Sequence, residues 1–421
     1  MDRITKIKIG RRKFLRVSAM VAAGGVLLAA CGDTVSPTNT PAAGTTTVAG
    51  GATSLKLGVL LPFSGVYTQL GLDIVDGMNL YFESIGGVVA GRKIELLKED
   101  EENDPQAALR KTKKLIESDK VDLLTGIVSS AVALGIRDTV DQAKTILVIS
   151  NAGAKDITGA RFSKYIFRTS FSNGQVPYPL GEWAYKNVGK KIFMTAPDYA
   201  AGRESVEGFK ATFVKAGGTV VGEVYPPFGK TSDYAPFLTQ IQQAKPEAVY
   251  AFYSGTEAVN FVKQYEQFGL KKDIPLVAAG FIVEQDTLPA LGGAALGIKS
   301  TLHYADSLDT PENKKFVADF TSKYKRTPTT FALQGFDSAR FIVEGLKVVN
   351  GDTTNKENLV KALEGVKFIS PRGPLEIDPT NHGLTQNIYL RDVVAGSDGK
   401  PMNKVISTFE KIQDINTLLK N

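Results

Sequence analysis

Cysteine occurs once in the 421 residues, histidine twice and tryptophan once, and no apolar run reaches the length of a membrane span. A single cysteine, Cys31, excludes any disulfide within the chain. His303 and His382 stand far apart, with no cysteine beside them and no second histidine at helical spacing, so a metal site is not supported. Catalytic signatures are missing too. No Gly-x-Ser-x-Gly elbow occurs, and no Gly-x-Gly-x-x-Gly opens a helix after a strand. Gly229-Lys230-Thr231 resembles the end of a phosphate loop, but the first glycine of that motif would fall at Val224, and Pro226-Pro227 intervene. There is no repeat of solenoid type. The expectation is a binding protein without cofactor or metal, not an enzyme.

An excess of one charge is also lacking once the N-terminus is set aside. The formal charge of +6 is concentrated in residues 1–30, which hold Arg3, Lys6, Lys8, Arg11, Arg12, Lys13 and Arg16 against Asp2 alone. Taking these seven bases and one acid from totals of 50 and 44 leaves 43 of each, so nucleic acid is not an expected partner. What is present at the N-terminus is an address. Arg11-Arg12 opens a twin-arginine core, the apolar run Val17 to Ala30 is too short for the roughly 20 residues of a transmembrane helix, and Leu28-Ala29-Ala30-Cys31 closes as a lipobox. Residues 1–30 are therefore expected to be a removed export signal, with Cys31 lipidated. Residues 31–54, rich in Gly, Ala, Ser, Thr and Pro, then form a flexible linker, and the folded part is tethered outside the cytoplasmic membrane or in the periplasm.

From Leu55 onward apolar strands alternate with amphipathic helices. Leu55 to Leu61, Lys93 to Leu97, Val121 to Thr125 and Ile146 to Ser150 read as strands. Between them lie helices over Gly71 to Ile85, Asp104 to Ser118 and Ala131 to Gln142. A loop-rich stretch, Phe171 to Pro179, precedes a second such series through Leu276 to Ala279. Beyond Thr301 come helices over Pro311 to Tyr324, Phe331 to Val349 and Lys356 to Leu363, then a turn-rich β segment over Ile369 to Val394. The pattern predicts an α/β protein of two doubly wound lobes joined by several crossovers. The lobes are expected at 55–172 plus 304–365 and at 173–303 plus 366–421.

In such sheets ligands bind beyond the carboxyl ends of the strands. Three loops there are rich in small or hydroxyl residues: Phe63 to Tyr67, Gly126 to Ser130, and Ser150 to Ala154. The second opens a helix and offers backbone amides with the hydroxyls of Ser129 and Ser130, an arrangement suited to a carboxylate or to plain N-capping.

These residues carry a resemblance. Ser129-Ser130, Ile149 to Ala154, Phe167-Arg168-Thr169, Asp198-Tyr199 with Gly202, Lys245 to Val249, Gly335-Phe336-Asp337 and Pro371 to Pro374 together resemble the branched-chain amino-acid-binding family of extracytoplasmic ABC-importer receptors, of the type I periplasmic-binding fold. The resemblance implies that a ligand carboxylate sits on Ser129 or Ser130 and on the backbone around Ala152, Gly153 and Ala154. It implies an acid near Gly280 for an ammonium group; none stands there, and Glu284 is displaced. The loop Asn151 to Ala154 with Gly280-Phe281 is instead similar to members that take aromatic or other hydrophobic carboxylates. Phe63, Tyr67, Tyr199, Tyr253 and Phe281 are the candidate aromatic lining, about three of them in contact with ligand. The expected function is a monomeric, membrane-tethered receptor that hands a small carboxylate to an ABC permease. A sensory module is the rival. An enzyme would have to work with Asp198, Glu257 or Glu284.

Overall fold

Every residue of the strand Leu55–Leu61 except Lys56 is buried, the pattern of a strand covered on both faces. In the computed structural model, which describes residues 54–420, this strand, β1, belongs to a six-stranded sheet with β2 (Val88–Val89), β3 (Arg92–Asp100), β4 (Leu123–Gly126), β5 (Leu147–Ile149) and β6 (Ile166–Arg168). Their order is β2-β3-β1-β4-β5-β6, parallel except for the short β2. Helices α1 (Thr68–Ser84), α2 (Pro105–Lys113) and α3 (Ser130–Gln142) make the crossovers. Local chemistry starts them: Asp104 accepts the amides of Gln106 and Ala107 with Pro105 in the first turn, and Ser129 caps α3.

The second sheet repeats the winding. After α4 (Tyr178–Asn187) come β7 (Lys191–Thr195), α5 (Ala200–Lys215), β8 (Thr219–Val224), α6 (Ala235–Ala244), β9 (Ala248–Ala251), α7 (Gly255–Gln267), β10 (Leu276–Ala279) and β11 (Lys299–Leu302). A hairpin of β12 (Lys367–Ser370) and β13 (Gly373–Glu376) precedes β14 (Gln386–Ala395) and β15 (Pro401–Ile412), which return antiparallel to β11. The order β15-β14-β11-β10-β9-β7-β8 contains β8-β7-β9-β10-β11, the same winding as β3-β1-β4-β5-β6. Two doubly wound sheets are thus present, as the alternation predicts.

Besides the two-residue β2, three strands escape sequence reading. β6 and β11 are short and buried throughout but for Lys299, so they show no alternation, and β15 is a mostly polar edge strand beyond the expected β segment. The late helix Thr330–Val348 packs against α1 through two glycines. A Cβ on Gly77 would stand 1.8 Å from Ala332 O, and one on Gly335 would stand 2.0 Å from Ile74 O, so only hydrogen allows the helices this close. Buried arginines tie the late segments to the crossovers. Arg372 pairs with Asp337 at 2.8 Å and donates to the carbonyls of Thr169 and Ser170, while Arg168 pairs with Asp414 at 2.7 Å. Arg168 also donates to Ala154 O at 2.7 Å, fixing the loop after β5.

Candidate functional site

Each sheet reverses its strand order beside its first strand: β1 lies between β3 and β4, and β7 between β8 and β9. The crevice beyond the carboxyl ends at such a reversal is where a doubly wound sheet takes a ligand. Here the loops from both crevices line one small cavity. The first sheet's side supplies Tyr67, Leu70, Val128, Ser130, Asn151, Gly153, Phe171 and Asn173. The second supplies Tyr199, Ala201, Phe252, Ser254 and Phe281, and Phe331 comes from the helix Thr330–Val348.

The polar groups favour an anion although no lysine or arginine lines the cavity. Four helices, α1, α3, α5 and α7, begin at its wall with Tyr67, Ser130, Tyr199 and Ser254 at or next to their first residues. Each N-terminus carries roughly half a positive charge. Ser130 Oγ accepts a hydrogen bond from Asn173 Nδ2 at 3.1 Å, which leaves its own proton free to donate. Asn173 is held in turn by Glu204 Oε2 at 2.8 Å. A Cβ on Gly153 would fall 2.3 Å from Asn173 Oδ1, so the wall there is bare backbone.

The rest of the wall is aromatic. Phe171 and Phe281 lie 4.9 Å apart, Phe252 meets Phe281 edge-on at 6.1 Å, and Phe331 stacks beyond. Tyr67 Oη and Tyr199 Oη share a hydrogen bond of 2.7 Å between the two sheets' loops, backed by Phe228 stacked on Tyr199 at 4.2 Å. Burial holds both phenols well above their ordinary pKa, so both stay protonated. Behind Phe171, His303 is stacked at 5.3 Å and bonded to Gln334, whose carbonyl accepts from Asn151. Burial pushes the His303 pKa far down, so the imidazole is neutral.

Of the residues singled out from sequence, Tyr67, Ser130, Gly153, Tyr199 and Phe281 line the cavity. The structure places the others elsewhere. Ser129 is fully buried and spends its hydroxyl on the amide of Val132; its own amide and that of Val128 go to the buried carboxyl of Glu101, at 2.9 and 3.0 Å. The amides of this loop are therefore less free than its composition suggests. Ala152 donates its amide to Ile127 O at 3.0 Å, and Ala152 and Ala154 both pack in the core beside α3. Tyr253 points to the opposite face of β9's extension, where its hydroxyl bonds Thr195 and its ring stacks on Phe261 at 4.4 Å. Phe252 faces the cavity in its stead. Phe63 is half-buried, with its amide on Asp100. Cys31 lies outside the described residues.

The acids have distinct fates. Asp198 is exposed and paired with Arg203. Glu284 is buried against Arg391 at 3.1 Å, and Arg391 also donates to Gly280 O. A Cβ on Gly280 would stand 2.2 Å from Arg391 Nη2 and 2.9 Å from Leu302 Cβ, so any side chain there would have to displace Arg391. Glu257, in the first turn of α7, accepts the amide of Gly229, and burial pushes its pKa up to about 7. Phe171, Asn173, Phe252, Ser254 and Phe331 are cavity residues that sequence reasoning did not select; only their position after strands or at a helix start could have flagged them.

With this geometry in hand, similarity to known proteins becomes interpretable. The family described as periplasmic binding protein matches residues 54–400. The Leu/Ile/Val-binding protein homolog 6 of Brucella melitensis is 34% identical over 365 residues, 86% of this chain and 93% of that protein. An ABC-transporter solute-binding protein from R. palustris, solved in complex with benzoate, is 39% identical with a TM-score of 0.79, over 84% of this chain and 96% of that one. Another from R. palustris, in complex with 4-hydroxybenzoate, is 33% identical with a TM-score of 0.83, over 88% and 100%. The chain thus belongs to the periplasmic binding protein family, as an extracytoplasmic solute-binding protein of the ABC-transporter class with the type I fold, and it is not an enzyme.

Proposed function

We propose that this protein captures a small aromatic or other hydrophobic carboxylate in the cavity between its sheets and delivers it to an ABC permease, tethered outside the membrane by a lipid on Cys31. The observation that carries the ligand class is the joining of four helix N-termini to an aromatic wall, with no acid at Gly280, where Arg391 fills the space beside the backbone. Carboxylate oxygens take the Ser130 hydroxyl and nearby amides, and the ring lies among Phe171, Phe252 and Phe281. The lobes 55–172 plus 304–365 and 173–303 plus 366–421 close on it as a monomer. The R. palustris relatives with benzoate and 4-hydroxybenzoate support this reading.

A branched-chain amino acid is the second reading. It is favoured by the Glu257 Oε2 atom, which is buried with no hydrogen-bond partner among the described residues and could meet an ammonium group. The Brucella homologue's name points the same way. A thermal-shift panel of leucine, isoleucine, valine, their keto analogues and benzoate decides between the two, because a ligand stabilises according to its excess over Kd. Stabilisation by benzoate and keto acids supports the first reading; stabilisation by the amino acids alone establishes the second.

A further inference from the structure

Ser254-Gly255-Thr256-Glu257 has the spacing of a capping box, in which the serine hydroxyl should accept an amide of the first turn and the glutamate should reach back to the serine amide. Neither bond forms. Ser254 stands at the N-cap of α7 with no side-chain cap bond, and the Glu257 carboxyl has turned away to accept the amide of Gly229. The cause is Gly255. It adopts φ +57, and a Cβ there would strike Val66 O at 2.4 Å, so the chain enters α7 in a left-handed conformation against the first sheet's loop. Ser254 Oγ is thereby turned into the cavity. The residue is 5% exposed, and its hydroxyl has no hydrogen-bond partner among the described residues.

An apolar ring edge against this hydroxyl would leave a buried donor and acceptor unpaired, whereas a ring hydroxyl would pair with it. Ser130 and Ser254 belong to loops of different sheets, so a ligand that uses both carries its two oxygen groups at separated places on the ring. Resting on the aromatic-carboxylate reading above, we infer that Ser254 is a specificity residue that selects an aromatic carboxylate with a ring hydroxyl remote from the carboxylate, at position 3 or 4. Glu257 Oε2, in the first turn of the same helix, is likewise buried and unpartnered among the described residues.

Calorimetric titration of the intact folded protein with benzoate and with 2-, 3- and 4-hydroxybenzoate tests this. The expected result is that 3- or 4-hydroxybenzoate binds at least about tenfold tighter than benzoate while 2-hydroxybenzoate does not, and that Ser254→Ala brings the ratio close to one. An unchanged urea-unfolding midpoint of that variant shows that it is folded. Isomers that all bind within threefold of benzoate, or a preference that survives Ser254→Ala, overturn the inference and leave the aromatic-carboxylate reading standing. Failure of all four acids to bind overturns that reading itself, and the inference with it.

Discussion

Ser129 and Ser130 are adjacent, identical in chemistry, and assigned opposite work by the structure. Ser129 Oγ faces the first turn of α3 and accepts from Val132 N at 3.5 Å, a long bond, whereas Ser130 Oγ lines the cavity with its proton free. Removing the Ser129 hydroxyl should cost stability at the low end of the capping range, about 0.5–1 kcal/mol, and leave ligand affinity within about twofold. If Ser130 holds the ligand carboxylate as proposed, removing its hydroxyl deletes a hydrogen bond to a charged group, which is worth about 1.5–3 kcal/mol and corresponds to about 10- to 150-fold in Kd. Its stability cost should be small, because Asn173 keeps Glu204 as acceptor. Calorimetric titration with benzoate, alongside urea unfolding of Ser129→Ala and Ser130→Ala, measures both quantities on both variants. Loss of affinity in Ser129→Ala with retention in Ser130→Ala would refute the assignment.

Arg391→Ala leaves Glu284 buried without its partner and should destabilise by about 3–5 kcal/mol in urea unfolding, far more than loss of an exposed pair. Cys31→Ser should yield protein that is exported without its tether or left unprocessed; a processed form still wholly in the membrane fraction counts against the lipobox. Glu101, Glu204 and Glu257 are buried with pKa values raised by desolvation to about 8, 7 and 7. The folded protein therefore holds protons that the unfolded chain has released above about pH 4.5. The stability they contribute is full below that pH and is lost as pH rises through 7 to 8, so Tm should fall between pH 5 and 8.5, and less so in Glu101→Gln. Affinity for an anion should fall over the upper part of the same window.

The winding was legible in the sequence because the long elements repeat a period and some carry their own start signal, as Asp104-Pro105 and Thr310-Pro311 show. The site was legible where it follows from that winding: Tyr67, Ser130, Gly153 and Tyr199 lie just beyond strand ends. It failed where a single residue of phase decides. Phe252 and Tyr253 are both aromatic and both follow β9, and only the pleat sets which one faces the cavity. Ser254 carries the signature of an ordinary cap, and only the left-handed Gly255 reveals that it does not cap. The side chain that fills the space beside Gly280, Arg391, stands 111 residues away, beyond the reach of local patterns.

Binding an anion on helix termini rather than on a guanidinium also bears on closure. The buried arginines Arg168, Arg372 and Arg391 are each committed to a carboxylate, Asp414, Asp337 and Glu284, so none has charge to spare for a ligand. The N-termini that remain are divided between the sheets, with α1 and α3 on one side and α5 and α7 on the other. A carboxylate held by one lobe meets half of them. On the proposed reading it meets all four only when the lobes come together and water leaves, and each interaction then strengthens as the local dielectric falls. One link between the two sheets' loops at the cavity, the Tyr67 to Tyr199 hydrogen bond, is worth about 0.5–1.5 kcal/mol. Moving a population from mostly open to mostly closed takes about 5.5 kcal/mol. The tyrosine pair is too weak to do this alone, and on the proposed reading the remainder comes from contacts that the ligand makes with both lobes.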